Sequence, residues 1–294
     1  MNDLSIEAFL ALRDYFFDPQ GSPIPFSLRP KRNTQDDPFD EALSVDILSK
    51  ISNVKCVKAP GPLITPDLVL FRESCLNVTK HDLRDDFSKI LAIEVKKLER
   101  TSQGGVARAS GLDYNTTPPC GIVRVYDSIK HIIDIRGFYL FVCLESYKDD
   151  LSKVFLSALA LVDGNLLNTD FTLYLNIVGE RQKRIGLGSY ADGADRARPM
   201  LIFANPLGAK ALDHNISLIH PSASLEDSRL RLVYEIERYL PDAKSKNRFY
   251  CYRLSSDVPQ KWQVSSLKDP FPMPSRDSRT RPRGRFKLPF KVLG

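Results

Sequence analysis

Two amphipathic patterns near the start of the chain predict two helices. Over residues 5–17 the apolar side chains recur near helical spacing, which is typical of a helix that buries one side. A polar, proline-containing connector follows. The second helix is predicted to begin at Pro38, since Asp37 is a good N-cap and proline is tolerated at the first helical position. Its apolar stripe comprises Phe39, Leu43, Ile47, Leu48 and Ile51.

Short aliphatic and β-branched runs between turn-forming residues predict strands. They cover residues 64–70, 91–97, 122–126, 138–144, 154–162, 171–178 and 201–204. A last helix is predicted from the capping box at residues 224–227; it ends at Pro241, and its stripe is Leu225, Leu232, Val233, Ile236 and Leu240. The pattern therefore predicts an α/β protein with a mixed central β-sheet flanked by helices and extended by added strands.

The length of 294 residues suits one large domain with a sizeable core. We interpret residues 1–269 as that domain and residues 270–294 as a basic, proline-rich C-terminal arm. The arm is too polar to pack, so it either lies along a nucleic-acid backbone or is a solubilising tail. Its basic residues are Arg276, Arg279, Arg281, Arg283, Arg285, Lys287 and Lys291.

Charge and terminal composition narrow the class of protein. The net charge of +6 and the isoelectric point near 9.0 favour polyanionic partners. The first residues are acidic and lack the basic and apolar regions of a signal peptide, and no apolar run approaches the length of a membrane span. The five scattered cysteines argue against a disulfide framework. We expect a cytoplasmic protein without membrane association.

Two of the predicted strands carry charges where a buried strand is normally apolar. Asp67 lies in the first, and Glu94 and Lys96 lie two apart in the second, so that both point to the same face while Val95 turns to the other. Buried charges are costly unless they are paired or bind a metal. Two carboxylates beside an ammonium group suit Mg²⁺, which takes one or two protein carboxylates and keeps waters or phosphate oxygens.

Pro66-Asp67 followed by Glu94-Val95-Lys96 resembles the signature of the restriction-endonuclease-like, PD-(D/E)xK, nuclease superfamily. The resemblance implies the restriction-endonuclease-like fold and the activity of a type II restriction enzyme. Such an enzyme is a Mg²⁺-dependent endonuclease that cuts double-stranded DNA at specific sequences, leaving 5′-phosphate and 3′-hydroxyl ends. It also implies a homodimer and a cognate DNA methyltransferase as a separate chain.

The resemblance assigns roles to individual residues. Asp67, Glu94 and the backbone carbonyl of Val95 would hold one or two Mg²⁺ ions, and Lys96 would position the attacking water and stabilise negative charge. Many such nucleases carry a third acidic residue on the helix before the first strand. Glu41 is a weaker metal-site candidate on that ground; its alternative role is to interact with the helix dipole.

Two irregular polar segments are candidate DNA contacts. Arg100, Arg108, Tyr114 and Asn115 lie after the second charged strand, and their side chains suit phosphates and base edges. The alternative is that this segment is a structural loop with a proline-fixed turn. Residues 179–199 form a glycine-containing basic segment, which is either a DNA contact or a solvated loop. Its basic residues are Arg181, Lys183, Arg184, Arg196 and Arg198.

Other functions remain open at this point. Glu94 and Lys96 could form an ordinary cross-strand ion pair without catalytic chemistry. A repair, recombination or structure-specific nuclease of the same superfamily is the nearest alternative, and a non-catalytic DNA-binding protein that kept the fold is another. An unrelated enzyme acting on a small molecule would show no DNA affinity at moderate salt. The chain has no G-x-x-x-x-G-K-[ST] phosphate-binding loop.

Overall fold

The computed structural model describes residues 3–33, 36–61, 64–73, 83–84, 86–100, 106–108, 121–178 and 216–269. Helix α1 spans Leu4–Phe16, and Asp3 caps it by accepting a hydrogen bond from the Ser5 amide. Helix α2 spans Pro38–Glu41. It continues as a π turn, Ala42–Ile47, and then as a 3₁₀ turn, Leu48–Lys50. Asp37 caps α2 as predicted, so both N-terminal helix predictions are confirmed. Helix α3 spans Gly164–Val178.

The strands of the described ranges join into one mixed sheet. They are β1 Val54–Lys58, β2 Leu68–Arg72, β3 Ile90–Arg100, β4 Val106–Arg108, β5 Ile122–Tyr126, β6 Ile132–Ser146, β7 Val154–Asp163, β8 Ile216–His220, β9 Leu230–Tyr239, β10 Lys246–Leu254 and β11 Ser265–Leu267.

The sheet has the order β1-β2-β3-β6-β7-β8-β10-β9-β11, with β4 paired to β3 and β5 paired to β6. Strands β1, β2 and β3 form an antiparallel meander, and β6 lies parallel to β3. Strand β8 lies parallel to β7 after the crossover that contains α3, while β10 is antiparallel to both β8 and β9. The mixed α/β architecture that the sequence predicts is confirmed.

Helices cover both faces of this sheet. On one face, α1 and α2 contribute Phe9, Phe16 and Phe39 to a core that also contains Leu91 and Ile93 of β3. On the other face, Leu166 and Leu167 of α3 pack with Tyr139 and Phe141 of β6. Because alternate residues of β3 face opposite sides, one face of this strand meets α1 and α2 and the other faces the α3 side.

The prediction of a strand at residues 171–178 is wrong, because this segment is the second half of α3. Asp163 starts the helix by accepting a hydrogen bond from the Asn165 amide at 2.7 Å. Leu166, Leu167 and Leu173 are buried on one side, at helical spacing. Tertiary packing of this face therefore outweighs the β propensity of the aromatic residues in the segment.

The predicted helix after residue 224 is wrong as well, because β9 occupies most of this region. Tyr252 pairs with Leu232 and Cys251 pairs with Tyr234, so Val233 is an extra residue that forms a β-bulge. Because of the bulge, Val233 and Ile236 are buried in the same cluster although they are three residues apart in sequence. This spacing imitates the period of a helix, which explains the error.

Three further predictions have different outcomes. Strand β2 begins at Leu68 rather than at residue 64, since Pro66 has no amide hydrogen for a ladder. The predicted strand at 201–204 and the arm at 270–294 lie outside the described residues. Among the helices of the described ranges, none is long and apolar enough to cross a membrane.

Candidate active site at strands β2 and β3

The antiparallel pairing of β2 and β3 brings Asp67 to β3. Leu68 pairs with Ile93, and continuing this register by one residue sets Asp67 opposite Glu94. Asp67 Oδ2 accepts a hydrogen bond from the Val95 amide at 2.7 Å, and its backbone carbonyl accepts one from the Ala59 amide. The two charged segments singled out from the sequence are therefore neighbours in space.

Glu94 and Lys96 lie side by side on the α3-facing side of β3. Each is only 7% exposed, and Lys96 Nζ donates a hydrogen bond to Glu94 Oε1 at 2.8 Å. Val95 packs into the opposite core, as the alternation predicts. The second carboxylate oxygen, Glu94 Oε2, is buried and has no hydrogen-bond partner among the described residues. The pair therefore leaves one acceptor of Glu94 available to a ligand.

The electrostatics of the site favour binding of a proton or a cation. Burial and the negative charge of Glu94 together raise the pKa of Asp67 to about 7, although the Val95 amide stabilises the carboxylate. The charge of Asp40 raises this pKa further, and that of Lys96 lowers it. More negative charge is concentrated here than the local donors compensate, which is the condition that a bound cation relieves.

Asp40 of α2 is a third acidic residue of the site that sequence analysis missed. Burial raises its pKa to about 6, with Lys97 opposing the shift, and Glu94 is among the charges that act on it. Its Oδ1 is buried without a hydrogen-bond partner in the described structure, and Lys97 Nζ lies 3.9 Å from it. Lys97 also pairs with Asp37 and lies over the Phe39 ring, so it attaches the start of α2 to β3.

The structure brings Glu41 to a different place. Glu41 pairs with Arg29, which also binds Asp36, and the hydrogen bond from Arg29 lowers the pKa of Glu41. The sequence offers little to separate Asp40 from Glu41, because both lie in the first turn of α2 and both border its apolar stripe. The packing of α2 against β3, through the contacts of Lys97 with Asp37 and Phe39, decides which of the two faces β3.

The predicted DNA-contacting residues are described only in part. Arg100 is the last residue of β3, and Arg108 is the last residue of β4, opposite Leu98. The backbone positions of the two arginines therefore lie on neighbouring strands, and β3 also carries Glu94 and Lys96. The other predicted contacts lie outside the described residues: Tyr114, Asn115, Arg181, Lys183, Arg184, Arg196 and Arg198.

The donor set of the site is small for a metal ion. No group of three or more His, Cys, Asp or Glu side chains in the described ranges is arranged to hold a metal ion. Mg²⁺ needs only one or two protein carboxylates when waters and phosphate oxygens complete its shell. Asp67 and the partnerless Glu94 Oε2 have this chemistry. In the structure the Val95 amide donates a hydrogen bond to Asp67. Binding of the metal by the Val95 carbonyl stays a prediction.

Comparison of the chain with known protein families, characterised proteins and solved structures finds no match. The assignment of function therefore depends on the chemistry of the site.

Proposed function

We propose that this protein is a Mg²⁺-dependent endonuclease that hydrolyses phosphodiester bonds in double-stranded DNA at specific sequences, in the manner of a type II restriction enzyme. The observation that carries the proposal is the contact of Asp67 with the Val95 amide, beside a buried Glu94–Lys96 pair whose Glu94 Oε2 lacks a partner. The flanked mixed sheet is compatible with the restriction-endonuclease-like fold, which is part of the proposal.

Each residue has a definite task in this mechanism. Asp67 and Glu94 would hold Mg²⁺, which would supply a lowered pKa for the attacking water and positive charge opposite the phosphate. The Val95 amide orients Asp67 by donating to Oδ2. Lys96 is oriented by Glu94 Oε1 and has two further N–H donors, with which it can hold the attacking water and a phosphate oxygen.

The pairing of Lys96 with Glu94 also explains how two charges persist on a buried strand face. Removing one partner of a buried ion pair leaves an uncompensated charge, so each residue offsets the charge of the other. The site is thus preorganised before substrate binds. An ordinary structural ion pair would have the same contact, but it would give no reason for Asp67 and Asp40 to sit beside it with raised pKa values.

The test is digestion of supercoiled plasmid DNA in Mg²⁺ and in EDTA. We expect discrete bands in Mg²⁺ and no cleavage in EDTA. Asp67→Asn and Glu94→Gln should abolish cleavage with duplex binding largely retained, and Lys96→Met should slow it at least a hundredfold. Glu73→Gln is the matched control, because this exposed carboxylate follows β2 but pairs with Lys55.

The products separate the competing functions. Discrete bands with 5′-phosphate ends indicate a restriction enzyme, whereas nicks or a smear indicate a repair or structure-specific nuclease. Salt-dependent duplex binding without cleavage in any divalent metal indicates a non-catalytic DNA-binding protein. If Asp67→Asn and Glu94→Gln both cut at the wild-type rate, the assignment of the site is refuted. The homodimer and the separate methyltransferase are further parts of the proposal, and a molar-mass measurement tests the first.

A further inference from the structure

Two arginines face each other on β9 and β10, at the far side of the sheet from β2. Arg231 and Arg253 are direct partners in the antiparallel register. Residues in this arrangement have Cβ atoms about 5 Å apart, and like charges placed there repel each other. The carboxylates that flank the two strands in sequence, Asp227 and Asp257, are already paired with other arginines. The positive charge of this pair therefore lacks a matching carboxylate in the described part of the chain.

The two guanidinium groups differ in how they are held. Arg231 donates to the carbonyl oxygens of Pro259, Gln260 and Trp262 at 3.0, 3.2 and 2.8 Å, so its position is fixed while its charge stays uncompensated. Arg253 is half-buried, and its Nε is buried without a hydrogen-bond partner among the described residues. A buried N–H donor without an acceptor lowers the stability of the folded protein, so it persists only where another interaction compensates for the loss.

Aromatic rings border the arginine pair. Tyr234 lies opposite Cys251, two residues before Arg253, and its ring meets the Trp262 ring edge to face with 5.5 Å between the centroids. Trp262 Nε1 donates to the Val233 carbonyl, which fixes the indole. Trp262 is the single tryptophan of the chain, so its fluorescence reports on this place alone.

We propose that Arg253 and Arg231 bind a phosphate-type oxyanion between their guanidinium groups. Guanidinium forks match phosphate oxygens with paired, charge-assisted hydrogen bonds. A bound oxyanion removes the repulsion between the arginines and offers the Arg253 side chain an acceptor. The same oxygens are presented by free phosphate compounds and by the backbone of a nucleic acid. The site stands apart from Asp67, and the proposal does not depend on the nuclease assignment.

The register of the sheet places this site relative to Glu94. Glu94 pairs with Tyr139, Tyr139 with Val162, Val162 with Ile219, and Ile219 with Cys251, which makes one row across the sheet. Four strand spacings of about 4.8 Å separate the ends of this row by roughly 19 Å. Arg253 follows Cys251 by two residues on the same face.

The first experiment titrates the full-length protein with inorganic phosphate at constant ionic strength and follows Trp262 fluorescence. We expect a saturable change in the wild type and at least tenfold weaker binding in Arg253→Gln. Arg253→Lys keeps the charge but lacks the fork, so it should bind with intermediate affinity. Arg248→Gln is the matched control, because Arg248 lies on the same strand, is exposed and faces Glu237 in register.

The second experiment measures binding of a labelled 20-base-pair duplex in EDTA over a series of salt concentrations. If the ligand is a nucleic-acid phosphate, Arg253→Gln should lower the slope of log K against log salt by about 1, and Arg248→Gln should leave it unchanged. EDTA prevents metal-dependent cleavage, so loss of nuclease activity and loss of this site are distinguishable. A response in the phosphate titration alone identifies a small phosphate compound as the ligand.

Thermal unfolding distinguishes a binding role of Arg253 from a structural one. Arg253→Gln should unfold at the wild-type temperature or above it, because it removes a like-charge contact and a partnerless donor. A fall in the unfolding temperature together with unchanged binding in both assays makes Arg253 a structural residue and overturns the proposal. Equal behaviour of Arg253→Gln and Arg248→Gln in both assays overturns it as well.

Discussion

Replacing Asp67 by asparagine should stabilise the protein at alkaline pH, even though it removes a candidate catalytic group. Asparagine keeps a carbonyl oxygen that can accept from the Val95 amide, so the local contact is preserved. It removes a carboxylate whose ionised form is disfavoured by burial and by the neighbouring charge of Glu94. Under the proposed function, this carboxylate would serve metal binding at a cost in stability.

The magnitude follows from the pKa. The folded protein raises the pKa of Asp67 from 3.8 to about 7. Between these values the folded state binds more protons than the unfolded state, so the free energy of unfolding falls as the pH rises. A tenfold change in an equilibrium constant is about 1.4 kcal/mol, so the full penalty above pH 7 is at most about 4 kcal/mol. We expect a gain of about 1–3 kcal/mol for Asp67→Asn at pH 8, because relaxation and the buried amide reduce it.

Urea denaturation in EDTA at pH 4.5, 6 and 8 measures this effect. The stability difference between Asp67→Asn and the wild type should be small at pH 4.5 and largest at pH 8. When Mg²⁺ replaces EDTA at pH 8, it should stabilise the wild type and leave the variant almost unchanged, since a ligand stabilises only the form that binds it. A difference that is zero, negative or independent of pH would refute the electrostatic reasoning.

Asp257→Asn is the matched control for a buried carboxylate that is well paired. Arg13 holds Asp257 with two hydrogen bonds, at 2.7 and 3.3 Å, and both side chains are almost fully buried. Breaking a buried pair leaves a charge without its partner, so this substitution should destabilise the protein by about 3 kcal/mol. The same chemical change is thus expected to have opposite signs at the two positions.

Three other substitutions test the site and the fold. Asp40→Asn should reduce Mg²⁺-dependent cleavage more than Glu41→Gln in initial-rate assays, because Asp40 acts on Asp67 while Glu41 pairs with Arg29; equal losses would contradict the placement of α2. Arg136→Met should lower the free energy of unfolding by about 3–5 kcal/mol, because Asp163 would lose its buried partner; unchanged urea denaturation would remove that pair from the account. Gly121→Ala should destabilise the fold by about 1–3 kcal/mol, because its Cβ would lie 1.7 Å from the end of the Asn165 side chain and 3.1 Å from the Asn165 backbone nitrogen; a variant as stable as the wild type would show that Asn165 moves aside freely.

Local rules predicted the elements whose pattern depends on near neighbours in sequence. The N-cap at Asp37 and the alternation over residues 91–97 need no distant contact, and both are present in the structure. The same alternation put Glu94 and Lys96 on one face. Local rules failed for α3, where packing of the helix against its neighbours decided the outcome. They also failed for β9, where the bulge at Val233 did.

The sequence by itself determined the strand that sets Glu94 beside Lys96 and the apolar faces of the first two helices, because these follow from the periods of strand and helix. Only the tertiary structure decided that Asp67 lies against Val95, that Asp40 rather than Glu41 faces the site, and that Arg231 meets Arg253. Strand register and the rotation of α2 about its own axis depend on contacts between residues distant in the chain. No local period contains that information.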